Sequence, residues 1–323
     1  MSYPTTRLRR LRYNKAIRDL VDDTNLSTTD LIYPIFVCEG KNIKKEIQSM
    51  PGQYQLSIDN VLKICDELVS KNINSIILFG IPSKKDEEGL VAIEKNGIVQ
   101  RAIKEIKKNN KNILVIVDVC NCQYTTHGHC GTIKDGDVDN DSTLKNLGSQ
   151  ALSLVNAGAD VIAPSDMMDG RVKYIRDILD KSNYHKIPIF SYSIKYASSF
   201  YGPFRNATDI STNFTDRKTY QMSFKSSNEA LREAEMDIKE GVDVIIIKPA
   251  LSYLDILYKI KSKYNIPVIA YNVSGEYSML KAASEKKWIK SKETIIEILT
   301  SMKRAGANAI ITYHALEVSD YLN

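Results

Sequence analysis

Two lysines follow apolar, β-branched runs in this chain. Lys195 comes two residues after "KIPIFSYS", and Lys248 ends the run "VDVIIIK". A buried ammonium is costly, so a lysine at such a position reaches water, finds a partner or serves as an amine. Two ammonium groups sharing a partly dry pocket disfavour each other's charge, and desolvation acts in the same direction. A lysine made neutral in this way attacks carbonyl carbon and forms a Schiff base. The second reactive group is "DVCNCQYTTHGHCG", in which Cys120, Cys122 and Cys130 have the spacing C-x-C-x7-C. Thiolates suit zinc, and three ligands plus water make an open catalytic site. His127 or His129 would close the shell and make it structural, and a loop of metal-free thiols is the third reading. Cys38 and Cys65 are isolated and read as small core residues. Arg205 and Arg217 carry guanidinium groups that bind carboxylates in a bidentate manner. Amines, thiols and arginines together suit a substrate with both a ketone and a carboxylate.

These groups need a scaffold that brings distant segments together. Eight short runs rich in Ile and Val recur along the chain, at 31–37, 74–81, 112–119, 159–165, 186–193, 242–249, 265–274 and 307–314. They are continuous rather than alternating, as strands buried on both faces are. Between most of them lie segments of helical period. "SIDNVLKICDELVSKN" puts Val61, Leu62, Cys65, Leu68 and Val69 on one face, with Ser57 available as a cap. Two further segments end in Ala-Gly-Ala, and "NEALREAEMDIKEG" ends in a glycine suited to a helix C-cap. The alternation predicts an α/β fold, a (β/α)8 TIM barrel over residues 31–323. A doubly wound open sheet would call for a phosphate-binding glycine fingerprint after the first strand, and none is visible.

Barrel enzymes carry their chemistry at the C-terminal strand ends. Those ends offer Asp118 and Cys120, Ser165 and Asp166, Lys195, Lys248, Tyr271 and Ser274, and Tyr313. Residues 1–30 are too polar for a domain and read as an N-terminal arm packed on another subunit. The long connection at about 196–226 mixes aromatics, a Gly-Pro pair and arginines, and reads as an active-site lid.

Composition narrows the classes. Of 323 residues, 43% are hydrophobic and 26% charged, ordinary for a soluble globular protein. The net charge of +5 comes with no nucleic-acid recognition motif, so no nucleic-acid partner is expected. No apolar run approaches the roughly 20 residues that span a bilayer, and the N-terminus lacks the core of a secretory signal. A cytoplasmic location without membrane attachment is the expectation, with the five cysteines kept reduced.

Across nearly its whole length the chain resembles the porphobilinogen synthase, or 5-aminolevulinate dehydratase, family. The matching stretches are "RLRR", "YPIFV", "CQYTTHGHCG", "APSDMMDGR", "KYASSFYGPFR", "DRKTYQM", "VIIIKPA", "YLDI", "YNVSGEY" and "ITYHA". The resemblance implies condensation of two 5-aminolevulinate molecules to porphobilinogen, an early step toward tetrapyrroles. Lys248 matches the lysine bound to the substrate that gives the propionate side of the product. Lys195 matches the lysine that engages the acetate-side substrate. Cys120, Cys122 and Cys130 match the zinc ligands of the cysteine-rich branch. Arg205, Arg217 and Gln221 match contacts to the acetate-side carboxylate, and Ser274 and Tyr313 match contacts to the other. Asp118 and Ser165 match polar groups near the amines, Tyr201 and Phe204 match lid aromatics, and Tyr271 joins the substrate-binding set. Glu233 matches an allosteric magnesium ligand. A homo-octamer of arm-embracing dimers is implied as well, with "RLRR" in the arm. A class I aldolase-type lyase with structural zinc is the alternative, but it has no use for the second lysine.

Overall fold

The protein is described from a computed structural model, which covers residues 5–210 and 216–322. Eight parallel strands form the barrel: β1 (Leu31–Cys38), β2 (Ser75–Ile81), β3 (Leu114–Val119), β4 (Val161–Pro164), β5 (Phe190–Lys195), β6 (Val244–Lys248), β7 (Val268–Asn272) and β8 (Ala309–Thr312). The hydrogen-bonded order runs β4-β3-β2-β1-β8-β7-β6-β5. A bridge between Ile162 and Ile189 joins the two ends and nearly closes the ring. All eight expected runs became strands. The fifth, Phe190–Lys195, ends two residues beyond its apolar run.

The strands are buried on both faces, which accounts for their continuous apolar composition. One face packs on the outer helices, through strand residues such as Ile35, Val117 and Ile245 and helix residues such as Leu299. The other fills the barrel with Phe36, Phe79, Ile116, Tyr192 and Ile246, among others. The helix Ile58–Ser70 buries Val61, Cys65 and Leu68 as its period predicted, while Val69 stays 41% exposed at the edge of the stripe. Cys38 and Cys65 are buried core residues. Ser57 stands at the N-cap position of this helix but does not cap it with its side chain. Its hydroxyl instead accepts the Ile43 N–H at 2.8 Å, a tertiary contact from the hairpin after β1. The Ala-Gly-Ala turns work through backbone conformation. Gly158 and Gly306 adopt φ of +106° and +114°, which a side chain would strain.

The arm contains a turn of 3-10 helix, Leu8–Leu11, and a helix, Lys15–Val21, and neither buries a residue. No described helix is long and apolar enough to cross a membrane.

Candidate active site

The two lysines meet because of an irregularity in β5. Ser191 pairs with Ile245 and Ile194 with Ile247, so β5 advances three residues while β6 advances two. Tyr192 and Ser193 together face the single residue Ile246. This is a β-bulge, and bulges re-aim side chains near functional sites. Tyr192 points into the barrel, among the residues that fill it. Strict alternation would then aim Ile194 inward and Lys195 outward. The extra residue reverses this: Ile194 packs in the outer layer, and Lys195 becomes the register partner of Lys248.

Both amines are buried, with Lys195 and Lys248 only 4% and 6% exposed. The Lys195 Nζ donates to the carbonyl of Ser165. The Lys248 Nζ lies 4.4 Å from the ring centre of Tyr271, 4.9 Å from Phe204, 5.2 Å from Tyr192 and 5.3 Å from Tyr201. Burial pulls the Lys248 amine down to about 7, with repulsion from Lys195 second and Asp118 acting the other way. Desolvation therefore outranks the crowding of the two amines. The Tyr201 hydroxyl donates to the Lys248 carbonyl at 3.1 Å, tying the lid to the end of β6.

Asp118, at the end of β3, faces both amines. Burial pushes its carboxyl up, against the pull of Lys248 and Lys195, with Ser165 hydrogen-bonded beside it. Gln123 donates to Asp118 Oδ2 at 3.1 Å, while Oδ1 has no partner. The adjacent loop carries the thiols. Cys120, Cys122 and Cys130 are fully buried, with sulfurs within 4.8 Å of one another. Tetrahedral zinc with Zn–S of about 2.3 Å separates sulfurs by roughly 3.8 Å, so the set fits zinc. Among the described residues this group contains no histidine nitrogen. His129 Nδ1 meets the Tyr220 hydroxyl at 3.1 Å, and His127 Nδ1 accepts the His129 N–H at 3.0 Å. The three thiols could together hold a metal ion. Hydrogen bonds from Cys120 and Cys122, and more weakly the charge of Arg217, hold the Cys130 thiol well below its ordinary value.

The described parts of the segment after β5 pack over this floor. Ser199–Tyr201 forms a short turn and Gly202–Ala207 a short helix carrying Phe204 and Arg205. The expected lid includes residues 211–215, which lie outside the described residues. Arg217 reaches inward, its Nη2 donating to the Gly128 carbonyl at 2.6 Å and its Nη1 3.6 Å from Cys130 Sγ. Gln221 is buried, and its Nε2 has no hydrogen-bond partner among the described residues. On the far side, Ser274 Oγ accepts the Phe204 N–H at 3.0 Å and donates to the Phe200 carbonyl at 3.3 Å. A Cβ on Gly275 would come within 2.5 Å of the Phe200 carbonyl, so glycine allows this close approach. The hydroxyls of Tyr271 and Tyr313 are 3.1 Å apart. The space that Lys195, Lys248, Asp118 and Ser165 share with Phe204, Arg205 and Arg217 encloses about 20 Å³, room for about one ordered water. Glu233 lies elsewhere, in a hollow of about 1040 Å³ with Asp169, Arg232 and Glu240.

A sequence profile described as "ALAD: Delta-aminolevulinic acid dehydratase" matches residues 5–321. The chain belongs to the delta-aminolevulinic acid dehydratase family. The dehydratase of Bacillus subtilis is 52% identical over 322 residues, covering 100% of this chain and 99% of its own length. That of Methanothermus sociabilis is 54% identical, covering 98% of this chain and 99% of its own length. A crystal structure of the Toxoplasma gondii dehydratase, in complex with the reaction product porphobilinogen, superposes with a TM-score of 0.96 at 44% identity. It covers 98% of this chain and 91% of that one.

In this member of the dehydratase family the geometry adds residues that the sequence reading passed over. Tyr192 is fully buried beside both amines, with its hydroxyl unpartnered. Alternation back from an inward Lys195 picks Ser193, so no strand periodicity would have found it. Gln123 lay within the quoted cysteine-rich stretch and orients Asp118.

Proposed function

We propose that this chain condenses two molecules of 5-aminolevulinate into porphobilinogen, with loss of water, through Schiff bases on its two strand-end lysines. The observation that carries the reading is the register pairing of Lys195 with Lys248 in one buried cavity, with the Lys248 amine pulled to about 7. The name shared by the relatives and the product complex of the Toxoplasma protein support it.

The neutral Lys248 amine attacks the ketone carbon of the first substrate. The carbinolamine loses its hydroxyl as water, leaving a C=N bond to the protein. Lys195 engages the ketone of the second substrate in the same way. Asp118, with one oxygen unpartnered, takes up and returns protons beside the amines. Arg205, Arg217 and Gln221 hold the acetate-side carboxylate, while Ser274 and Tyr313 hold the propionate side. Tyr201, Phe204 and Tyr271 exclude water from the imine, and a closed lid keeps the reacting carbons close. Cys120, Cys122 and Cys130 would hold zinc, which supplies Lewis-acid polarisation of a carbonyl or bound hydroxide.

The same reading includes assembly and regulation. Leu8, Tyr13 and Leu20 on the arm are 69%, 77% and 83% exposed, which favours burial against another copy in a homo-octamer. Glu233, raised to about 7 chiefly by burial, is the proposed allosteric magnesium ligand. A cytoplasmic location fits this assignment.

Porphobilinogen formation from 5-aminolevulinate, read by a colour reagent, tests the reaction. Borohydride with substrate should label Lys248 irreversibly, and Lys248→Ala should abolish that label. A folded, zinc-loaded protein that forms no porphobilinogen would end the proposal.

A further inference from the structure

Arg171 is a fully buried arginine that the mechanism above leaves unused. It opens the helix Arg171–Lys181 and is only 2% exposed. A guanidinium in such a place needs hydrogen-bond partners, and its two Nη atoms find them around Lys195, while its Nε makes no hydrogen bond among the described residues. Its Nη2 donates to the carbonyl of Tyr192 at 3.3 Å and to Ser191 Oγ at 3.1 Å. Those residues carry the β5 bulge. A bulge disrupts the ladder locally and leaves a backbone group to be satisfied from outside it. The same nitrogen lies 3.2 Å from Asp237 Oδ2, which also accepts the Ser191 hydroxyl at 2.8 Å. Arginine, hydroxyl and carboxylate thus form a compact brace behind the bulge.

The other side of the guanidinium holds the turn after β4. Its Nη1 donates to the Met168 carbonyl at 3.0 Å. This turn is strained, because Met167 is buried with φ of +72°, a conformation that costs an ordinary residue free energy. Asp166 accepts the Met168 N–H at 2.7 Å and lies 4.0 Å from Arg171 Nε. The turn begins at Ser165, whose carbonyl receives the Lys195 amine. One side chain therefore supports both the strand segment that aims Lys195 and the turn that receives its nitrogen.

We propose that Arg171 is the positioning residue of the second lysine, fixing the bulge that turns Lys195 into the cavity and the strained turn that accepts its amine. The proposal rests on the two-lysine reading above. It assigns Lys195, and not Lys248, to the arginine's control. Among the described residues no hydrogen bond or ion pair of Arg171 reaches β6.

Two variants test it. Arg171→Lys keeps a positive charge against Asp237 and Asp166, but one ammonium lacks the fork needed to span Met168 and Tyr192 together. Arg171→Met/Asp237→Leu removes the closer ion pair at once, which buried pairs often tolerate, and leaves the more distant Asp166. In each, thermal unfolding, cyanoborohydride trapping of substrate on Lys248 and steady-state porphobilinogen formation are measured beside the parent. The expected result is a folded protein with Lys248 trapping within about threefold of the parent and turnover lowered about 100-fold, as for an ångström-scale misplacement. Turnover within about threefold of the parent in a folded variant overturns the proposal. So does a parallel loss of trapping and turnover, or a failure of both variants to fold, since the arginine would then serve the whole fold. An inactive parent would instead overturn the reaction assignment.

Discussion

Trapping at Lys248 across pH isolates the protonation of one buried amine. Its ordinary value near 10.5 falls to about 7 in the folded protein. The difference of roughly 3.5 units corresponds to about 5 kcal/mol of disfavoured charge. At pH 7 about half of the Lys248 side chains are then neutral, against roughly one in 3000 for an unperturbed lysine, a gain of about three orders of magnitude in nucleophile. The assay is the initial rate of cyanoborohydride trapping with saturating 5-aminolevulinate, localised to the Lys248 peptide. The rate should rise about tenfold per unit below pH 6 and level off above pH 8. Two variants probe the cause. Lys195→Met removes a neighbouring positive charge and should move the midpoint up, by about one unit and not back to 10, because burial remains. Asp118→Asn removes a carboxylate that favours the ammonium, so the midpoint should move down. A parent rate still climbing through pH 9, or a shift of the same sign in both variants, would refute the argument.

Replacing Cys130 by Ala should lower bound zinc from about one per chain to less than a tenth, measured by a chromophoric chelator, and activity should fall with it. Arg217→Lys should raise the KM for 5-aminolevulinate about 10-fold or more, because a bidentate, charge-assisted contact is lost; an unchanged KM would remove the carboxylate role. For Tyr313→Phe, the hydroxyl pairing with Tyr271 disappears while the packing on Phe36 remains. Its KM should rise several-fold with a thermal midpoint close to the parent's, checked by substrate titration and melting.

Much of this protein was legible without coordinates. Eight apolar runs and the helices between them encode a barrel, because burial on two faces or one leaves a periodic trace in neighbouring residues. The thiols were legible because eleven consecutive residues, Cys120 to Cys130, hold all three, and the strand-end lysines because a charge after an isoleucine run is conspicuous. Other features left no local trace. Ser57 has the identity of a cap, yet Ile43 claims its hydroxyl. Tyr192 and Lys195 both face inward only through an insertion that breaks the period of two. Nothing in the sequence singled out Arg171, which lies buried against the β5 bulge and the turn after β4.

Residue identity by itself determined which chemical groups exist here and which segments become strands, since both depend on side chains and their near neighbours. Only the closed barrel decided that Lys195 lies beside Lys248, that Arg217 reaches thiols 87 residues away in sequence, and that desolvation dominates the amine's protonation. Distance and dielectric arise when remote strands enclose a space, and no single stretch of chain contains them.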